Sequence, residues 1–296
     1  MANIGFVGLG HMGLPMAINL VKAGHQVIGF DLQASAMDAL YHAGGKMADT
    51  LQTAARDQDI LITMLQTGQQ VEHVCLGDHG LFTAATPHTL FIDCSSIDVT
   101  TSRKIHQEAR AFNLLSLDAP VSGGVKGASG ATLTFMVGGN EETFIKAKSI
   151  LAHMGKTIIY TGQPGSGQAA KICNNMILGV SMIAVSEAFI LANQLGLTSE
   201  KLFEVVTHAS GQCWVMNQYI PVPGILDNVP ANNDYKAGFT AAMMLKDLCL
   251  SQRSAEEVGI KTPMGEQAMR CYQQFKDAGM SELDFSAIIK MIEQGV

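Results

Sequence analysis

The sequence is short of charge. Only 15% of its residues are Asp, Glu, Lys or Arg, against 47% that are hydrophobic, and no run of like charge occurs. So little polar surface suits a chain with a large core and buried faces, which favours a homo-oligomer, a dimer or a tetramer. The balance is acidic, 19 basic against 26 acidic residues for a net charge of −7, which argues against non-specific nucleic-acid binding. Paired cysteines are missing. Cys75, Cys94, Cys173, Cys213, Cys249 and Cys271 are scattered without a C-x-x-C, and read as reduced thiols in a cytoplasmic setting. The 9 His show no H-E-x-x-H or other ligand spacing, so no metal is expected. No basic leader precedes the first apolar strand, and no targeting segment is expected. No uninterrupted apolar run reaches the roughly 18 residues of a membrane span. Residues 177–195 come near but carry Ser181, Ser186, Glu187 and Asn193, so no membrane partner is expected. Internal repeats and low-complexity tracts are absent as well.

What is present begins at once. Residues 3–7 (N-I-G-F-V) form a short apolar run bounded by glycine, the pattern of a buried strand. Gly8-Leu9-Gly10-His11-Met12-Gly13 follows, then a helical pattern over 14–23 ended by Gly24, then a strand over 27–30 closing on Asp31. Strand, G-x-G-x-x-G, helix, strand and acid make up a complete dinucleotide-binding unit rather than a lone glycine pattern. Gly8 permits the tight turn, Gly10 lets backbone approach a pyrophosphate, and Gly13 lets helix and strand pack closely. The start of the helix offers N–H groups to the phosphates. Asp31 accepts hydrogen bonds from ribose hydroxyls and repels a 2′-phosphate, and no Arg follows it, so NAD is expected over NADP.

Strand and helix signals then alternate, with strands at 60–65, 90–93, 114–117, 133–137 and 157–160 and helices at 100–112 and 141–153. Repeated βα units imply a parallel sheet with helices on both faces. Ligands bind beyond the carboxyl ends of such strands, which singles out Met64-Leu65, Ser95-Ser96 and Val121-Ser122-Gly123-Gly124. After Gly162-Gln163-Pro164-Gly165 the periodicity is helical almost throughout, at 167–195, 199–209, 237–258, 263–278 and 285–294. The expected fold is therefore an α/β Rossmann-type doubly wound sheet followed by an all-α C-terminal domain, joined through a long helix. A cofactor domain spans 1–163 and a helical substrate and oligomerisation domain spans 164–296. Residues 211–236 read as irregular, and a loop that long in a compact domain is usually functional or interfacial.

The long helix is the centre of the chain. Ser166 stands where it can cap the start, Gly196 where a helix commonly stops, and the whole is about 45 Å long. Almost everything after Ala169 is apolar, so burial on most sides is expected. Lys171 and Asn175, four apart on one face, need partners or a pocket against that background. A structural lysine paired with a carboxylate is one reading and a proton-transfer group the other. Desolvation disfavours a charged ammonium, which suits a base for alcohol oxidation by hydride transfer.

Together these stretches resemble the β-hydroxyacid dehydrogenase family over essentially the whole chain. The motifs are F-V-G-L-G-H-M-G over residues 6–13, D-A-P-V-S-G-G over 118–124, G-x-x-x-K-x-x-x-N over 167–175, and Lys246-Asp247. The resemblance implies that Lys171 is the catalytic acid/base and that Asn175 helps hold the substrate. It implies that Ser122, Gly123 and Gly124 bind the substrate carboxylate. Lys246 would sit near the nicotinamide end of the cofactor with Phe239 close by, while Met64, Leu65, Gln70 and Ser96 line the cofactor. Two positions depart from the family pattern: Gln66 stands where Pro is usual, and Ser96 where Thr is frequent. The implied activity is NAD-dependent oxidation of a small β-hydroxyacid, 3-hydroxyisobutyrate foremost, to its semialdehyde, with valine breakdown as the natural setting. The segment 211–236, with G-x-C-W, P-V-P-G and N-x-D-Y, resembles that member of the family rather than a tartronate semialdehyde reductase or a phosphogluconate dehydrogenase, and the alternative activity is reduction of a related small semialdehyde, tartronate or succinic. A non-enzymatic member of the fold, or an imine reductase, would be expected to lack Lys171.

Overall fold

A computed structural model of the chain describes residues 1–294, and its contacts divide them into two compact units, Met1–Lys171 and the helical part from Ile172 onward. The first unit carries strands β1 (Asn3–Val7), β2 (Gln26–Phe30), β3 (Lys46–Met47), β4 (Ile60–Thr63) and β5 (Leu90–Asp93). It continues with β6 (Leu115–Asp118), β7 (Val121–Ser122), β8 (Leu133–Gly139) and β9 (Gly155–Gly162). Its helices are α1 (Gly13–Lys22), α2 (Ala34–His42), α3 (Leu51–Ala55), α4 (Gly68–Leu76), α5 (Leu81–Ala84), α6 (Val99–Ala111), α7 (Gly124–Ser129) and α8 (Glu141–Leu151). One sheet runs β3-β2-β1-β4-β5-β6-β8-β7, with β9 paired to β8. The order 3-2-1-4-5-6 is that of a Rossmann-type sheet, whose crevice opens at the carboxyl ends of β1 and β4.

Burial on both faces follows from strand alternation. Ile4, Phe6, Ile60, Ile62, Leu90 and Ile92 enter one core beneath α1, while Val7, Leu61 and Phe91 enter a second. The sheet departs from the expected parallel arrangement at one place, because β8 pairs antiparallel with both β6 and β7. A parallel neighbour needs a crossover of a dozen or more residues. Residues 119–132 between β6 and β8 hold β7, itself a partner of β8, and only the six-residue α7, so no helix long enough to carry the chain back along the sheet precedes β8, and the chain doubles back.

The division between the units falls inside α9 (Ser166–Gln194), just past the stretch expected to part the domains. The second unit comprises the rest of α9 with α10 (Ser199–Val206), α11 (Trp214–Gln218), α12 (Ala241–Glu257), α13 (Pro263–Asp277) and α14 (Ile288–Glu293). A 3₁₀ turn, Phe285–Ala287, leads into α14, so the single helix expected over 285–294 is in fact two pieces. Met182, Val185, Phe189, Met244, Leu248, Tyr272, Phe275 and Phe285 form the core of this unit.

One expectation about α9 is corrected. It is 29 residues long and, by length and composition alone, apolar enough to cross a membrane, a test that the core helix of a soluble protein also passes. Less than half of its most apolar window, 44%, is buried in the protein, so it is not covered on most sides. Ile177, Leu191 and Leu195 leave an apolar stripe exposed on the chain described alone. The helix ends as expected: Gly196 takes φ +83°, and Leu197 N–H donates back to Ala192 O at 2.9 Å, closing a Schellman turn. The segment 211–236 is indeed mostly irregular but firmly tied. Tyr235 Oη donates to Pro221 O at 2.8 Å, and Asn232 bonds Gly224 N and the carbonyls of Leu226 and Asp227.

A mild pH sensitivity is built into the edge of the first unit. His25 Nδ1 accepts from Ala2 N at 3.2 Å, and its ring lies 5.1 Å from that of His153. Burial first, then the neighbouring His153 and the chain amine, hold the His25 pKa below its ordinary value. Protonation therefore favours the unfolded chain, and stability falls as pH drops below about 6.5. Replacing His25 by Asn should shrink the loss of Tm between pH 7 and pH 5.5 by about 1 °C, a small effect because the ring is only partly buried. An unchanged slope in the variant would rule this contribution out.

Candidate active site

The glycine loop has the geometry its spacing demands. Gly8 has φ +93°, and a Cβ there would lie 2.3 Å from Met64 O, because the loop after β1 runs against the loop after β4. A Cβ on Gly13 would meet Gly8 O at 1.8 Å. Around Gly10, by contrast, nothing lies within 4 Å of a built Cβ, so the backbone there is open to a ligand. No side chain caps α1, and no acid occupies its first turn. An uncapped helix start behind open glycine backbone fits the pyrophosphate of a dinucleotide. His11 is exposed, Met12 packs partly on the core, and Leu9 is buried in it.

Asp31, just past β2, accepts from Leu9 N at 2.6 Å and from Gln33 N at 2.8 Å. The carboxylate is thus aimed by backbone before any cofactor arrives, and the Leu9 N–H is already engaged. Leu32 beside it is 93% exposed. Of the other expected cofactor contacts, Met64 continues the strand by donating to Val7 O, and Leu65 N donates to Ser95 Oγ at 2.8 Å. Gln70 is used locally: its Oε1 accepts from Gln66 N at 3.0 Å, and its own N–H donates to Thr67 Oγ1. Ser96 is half-buried in the loop after β5.

Ser122 ends β7, and Gly123 and Gly124 follow with φ of +131° and +61°, a pair of left-handed conformations that side chains avoid. Lys171 is only 7% exposed. It is one turn beyond Gln168, whose side chain donates to Ser95 O at 2.8 Å and accepts from Ile97 N at 3.1 Å. That places the start of α9, with Lys171, at the carboxyl-end side of β5, the side on which such sheets bind ligands.

The cap of α9 overturns an expectation. Ser166 is the first helical residue and its hydroxyl pairs with Thr161 Oγ1 at 2.8 Å. The capping acceptor is Asp118, at the end of β6, which receives Gly165 N at 2.9 Å and Gln168 N at 3.0 Å. A network of buried polar groups that sequence reasoning did not single out surrounds it. Thr63 Oγ1 and Ser95 N donate to Asp93 Oδ1, and His106 Nε2 donates to Asp118 Oδ1 at 2.9 Å. Burial, with a smaller push from the Asp118 charge, raises the Asp93 pKa despite bonds from Ser95 and Thr63 that oppose it. The available signal was an acid at the last position of two successive apolar strands.

In the second unit Asn175 is buried, and its Nδ2 donates to Asp247 Oδ2 while its Oδ1 accepts from Asn174 Nδ2. Asp247 is itself buried, and its other oxygen faces Lys246 Nζ at 3.5 Å. The Lys246-Asp247 pair is thus half in the core, with the lysine partly exposed and the aspartate buried. Phe239 packs edge-on against Phe285 with ring centroids 5.7 Å apart, and its N–H donates to Asp284 Oδ2 at 3.1 Å. Tyr219 Oη also donates to Asp284 Oδ2, which anchors the segment before α12. Among the described residues no group of His, Cys, Asp and Glu could hold a metal ion.

Two family models match the chain. Residues 3–162 match the NAD binding domain of 6-phosphogluconate dehydrogenase, and residues 165–292 the NAD-binding domain of NADP-dependent 3-hydroxyisobutyrate dehydrogenase. A probable 3-hydroxyisobutyrate dehydrogenase of Mycobacterium tuberculosis is 48% identical over 98% of this chain and 97% of its own length. An NAD-dependent L-serine dehydrogenase of Pseudomonas aeruginosa is 45% identical over 99% of this chain and 98% of its own. Among solved structures, the Mycobacterium tuberculosis 3-hydroxyisobutyrate dehydrogenase with L-serine superposes with a TM-score of 0.95. It is 47% identical and covers 99% of each chain.

Proposed function

From the membership of this chain in the 3-hydroxyisobutyrate dehydrogenase family of β-hydroxyacid dehydrogenases, we propose that it oxidises 3-hydroxyisobutyrate to methylmalonate semialdehyde with NAD, as a step of valine breakdown. The observation that carries the chemistry is the buried Lys171, held at the carboxyl-end side of β5 where the dinucleotide is bound. Gly8, Gly10, Gly13 and Asp31 hold NAD, which when bound supplies the hydride acceptor for the carbinol carbon.

The protein's own part is binding, orientation and one proton. Ser122 and the N–H groups of Gly123 and Gly124 hold the substrate carboxylate. The amide of Asn175, turned by Asp247 and Asn174, orients the hydroxyl. Lys171 Nζ takes the hydroxyl proton as the alcohol is oxidised and returns it in the reverse reaction. Lys246, beside Asp247 on α12, is the cation expected near the nicotinamide end of the cofactor. The exposed apolar stripe of α9 supports a homo-oligomer, dimer or tetramer, and the thiols and acidic balance suit the cytoplasm.

L-Serine and glycerate share the carboxylate and the hydroxymethyl group of 3-hydroxyisobutyrate and differ at one substituent, an ammonium or a hydroxyl in place of a methyl. A methyl-sized apolar difference is worth roughly 10–200-fold in kcat/KM. The expected result is that 3-hydroxyisobutyrate exceeds both by at least about tenfold with NAD. A higher kcat/KM for L-serine would replace this substrate, and activity confined to tartronate or succinic semialdehyde reduction would establish the reductase reading instead.

A further inference from the structure

The motif D-A-P-V-S-G-G contributes Ser122, Gly123 and Gly124 to the reading above, but its aspartate has no part in it. Asp118 is 1% exposed. Its two oxygens receive three donors: Gly165 N and His106 Nε2 on Oδ1, and Gln168 N on Oδ2. A carboxylate only accepts, so the histidine ring must donate from Nε2, and its Nδ1 pairs with Ser116 Oγ at 2.7 Å. Gly165 and Gln168 are the residue before the first turn of α9 and its third residue, the two positions whose N–H groups a local cap serves. Gly165, with φ +84° and no side chain, cannot cap itself, and Ser166 faces Thr161.

The same turn is seated tightly. A Cβ on Gly167 would lie 2.4 Å from Met136 O and 2.6 Å from Asp118 O, so α9 starts against the backbone of β6 and β8. Gln168 then joins this turn to Ser95 and Ile97, and Ser95 Oγ receives Leu65 N from the loop expected to line the cofactor. Lys171 is one turn further along, on the face of Gly167 and Gln168. Any rotation or slide of the first turn moves Lys171 by a similar amount.

We propose that Asp118 is a positioning residue: bridging β6 to the first turn of α9, it fixes the azimuth and depth of that helix and thereby the place of the Lys171 amine relative to the bound cofactor. This rests on the reading of Lys171 as the proton-transfer group. Asp118 touches neither substrate nor cofactor in this role and acts only through the helix. An aspartate at a helix start also complements the helix dipole, and burial among three donors makes the geometry exacting.

The test is Asp118→Asn, Lys171→Ala and the double variant in the full-length enzyme, with kcat expressed per NADH-binding site from fluorescence titration. Asn keeps the shape and one acceptor but presents an amide to the other N–H. Asp118→Asn should lower kcat per site about 10–100-fold, the scale of an ångström-sized misplacement, with the NADH Kd within about twofold of wild type. The primary deuterium isotope effect from substrate labelled at the carbinol carbon should rise. The double variant should be no slower than Lys171→Ala alone, because the cap acts through that lysine. A merely structural aspartate would lower Tm and the number of active sites but leave kcat per site within twofold, and that result overturns the proposal. Multiplicative losses in the double variant overturn it too. If Asp118→Asn is not recovered folded, His106→Gln decides: kcat per site at least about threefold lower supports the proposal, and an unchanged value overturns it. Near-normal kcat in Lys171→Ala removes the underlying role of Lys171, whereas loss there with normal Asp118→Asn removes only the positioning role.

Discussion

Replacing Lys171 by Ala is expected to lower kcat by about 10²–10⁴-fold, the range lost with a positioned acid or base. NAD affinity should change little, because the open backbone at Gly10 and the Asp31 carboxylate belong to a different part of the first unit. Lys171→Arg should restore little, since a guanidinium does not release its proton near neutral pH. The sign of the pH dependence follows from the role. A base must be neutral to accept the hydroxyl proton, so kcat for oxidation rises with pH in the wild type and kcat for reduction falls. Both limbs should vanish in the Ala variant. A lysine kept only for packing predicts a lower Tm with kcat preserved in the folded fraction. Measuring Tm and kcat on one preparation separates the two, and a stable, fully active Lys171→Ala protein would remove this residue from the mechanism.

The second large effect concerns the choice of dinucleotide. Asp31→Asn combined with Leu32→Arg should shift the ratio of kcat/KM for NAD over NADP by about 10²-fold toward NADP, the size of one charge-assisted hydrogen bond formed and one repulsion removed. Leu32 is almost fully exposed, so the arginine can reach a 2′-phosphate without disturbing the core. The amide that replaces the Asp31 carboxylate retains one acceptor for the N–H groups of Leu9 and Gln33, so the turn after β2 survives at modest cost. A wild-type enzyme that already prefers NADP would show that Asp31 does not read the ribose.

Much of this was legible in the chain because the informative residues act locally. Gly8, Gly13 and Asp31 serve a turn, a close approach and a strand end within one βαβ unit, so their spacing alone implies their geometry. Strands β1 and β5 fall where apolar runs between punctuating residues place them. The short helices α2, α3, α4, α5, α7 and α11 were not foreseen, since so few turns carry no clear period and their stability comes from tertiary packing. The doubling back at β8 was hidden because strand residues look the same whichever way they pair. The capping of α9 was hidden for another reason. Its acceptor is 47 residues from Gly165, while Ser166, the plausible local candidate, is turned toward Thr161. Likewise, the burial of Asp247 rests on its contact with Asn175, 72 residues away, which spacing along the chain does not show.

The placement of that cap has a consequence for how the chain is made. A helix is costly to start and easy to extend, because the first hydrogen-bonded turn fixes several residues for a single bond. In α9 the first turn is held by Asp118, His106, Ser95 and Ile97, all of which leave the ribosome before it. At about 5–20 residues per second, the remainder of the chain follows over roughly ten seconds. Throughout that interval the first unit can already be folded, presenting a nucleated helix end onto which each new residue of α9 adds. The costly first turn of this apolar helix is therefore set by residues made before it, not by the apolar residues that follow.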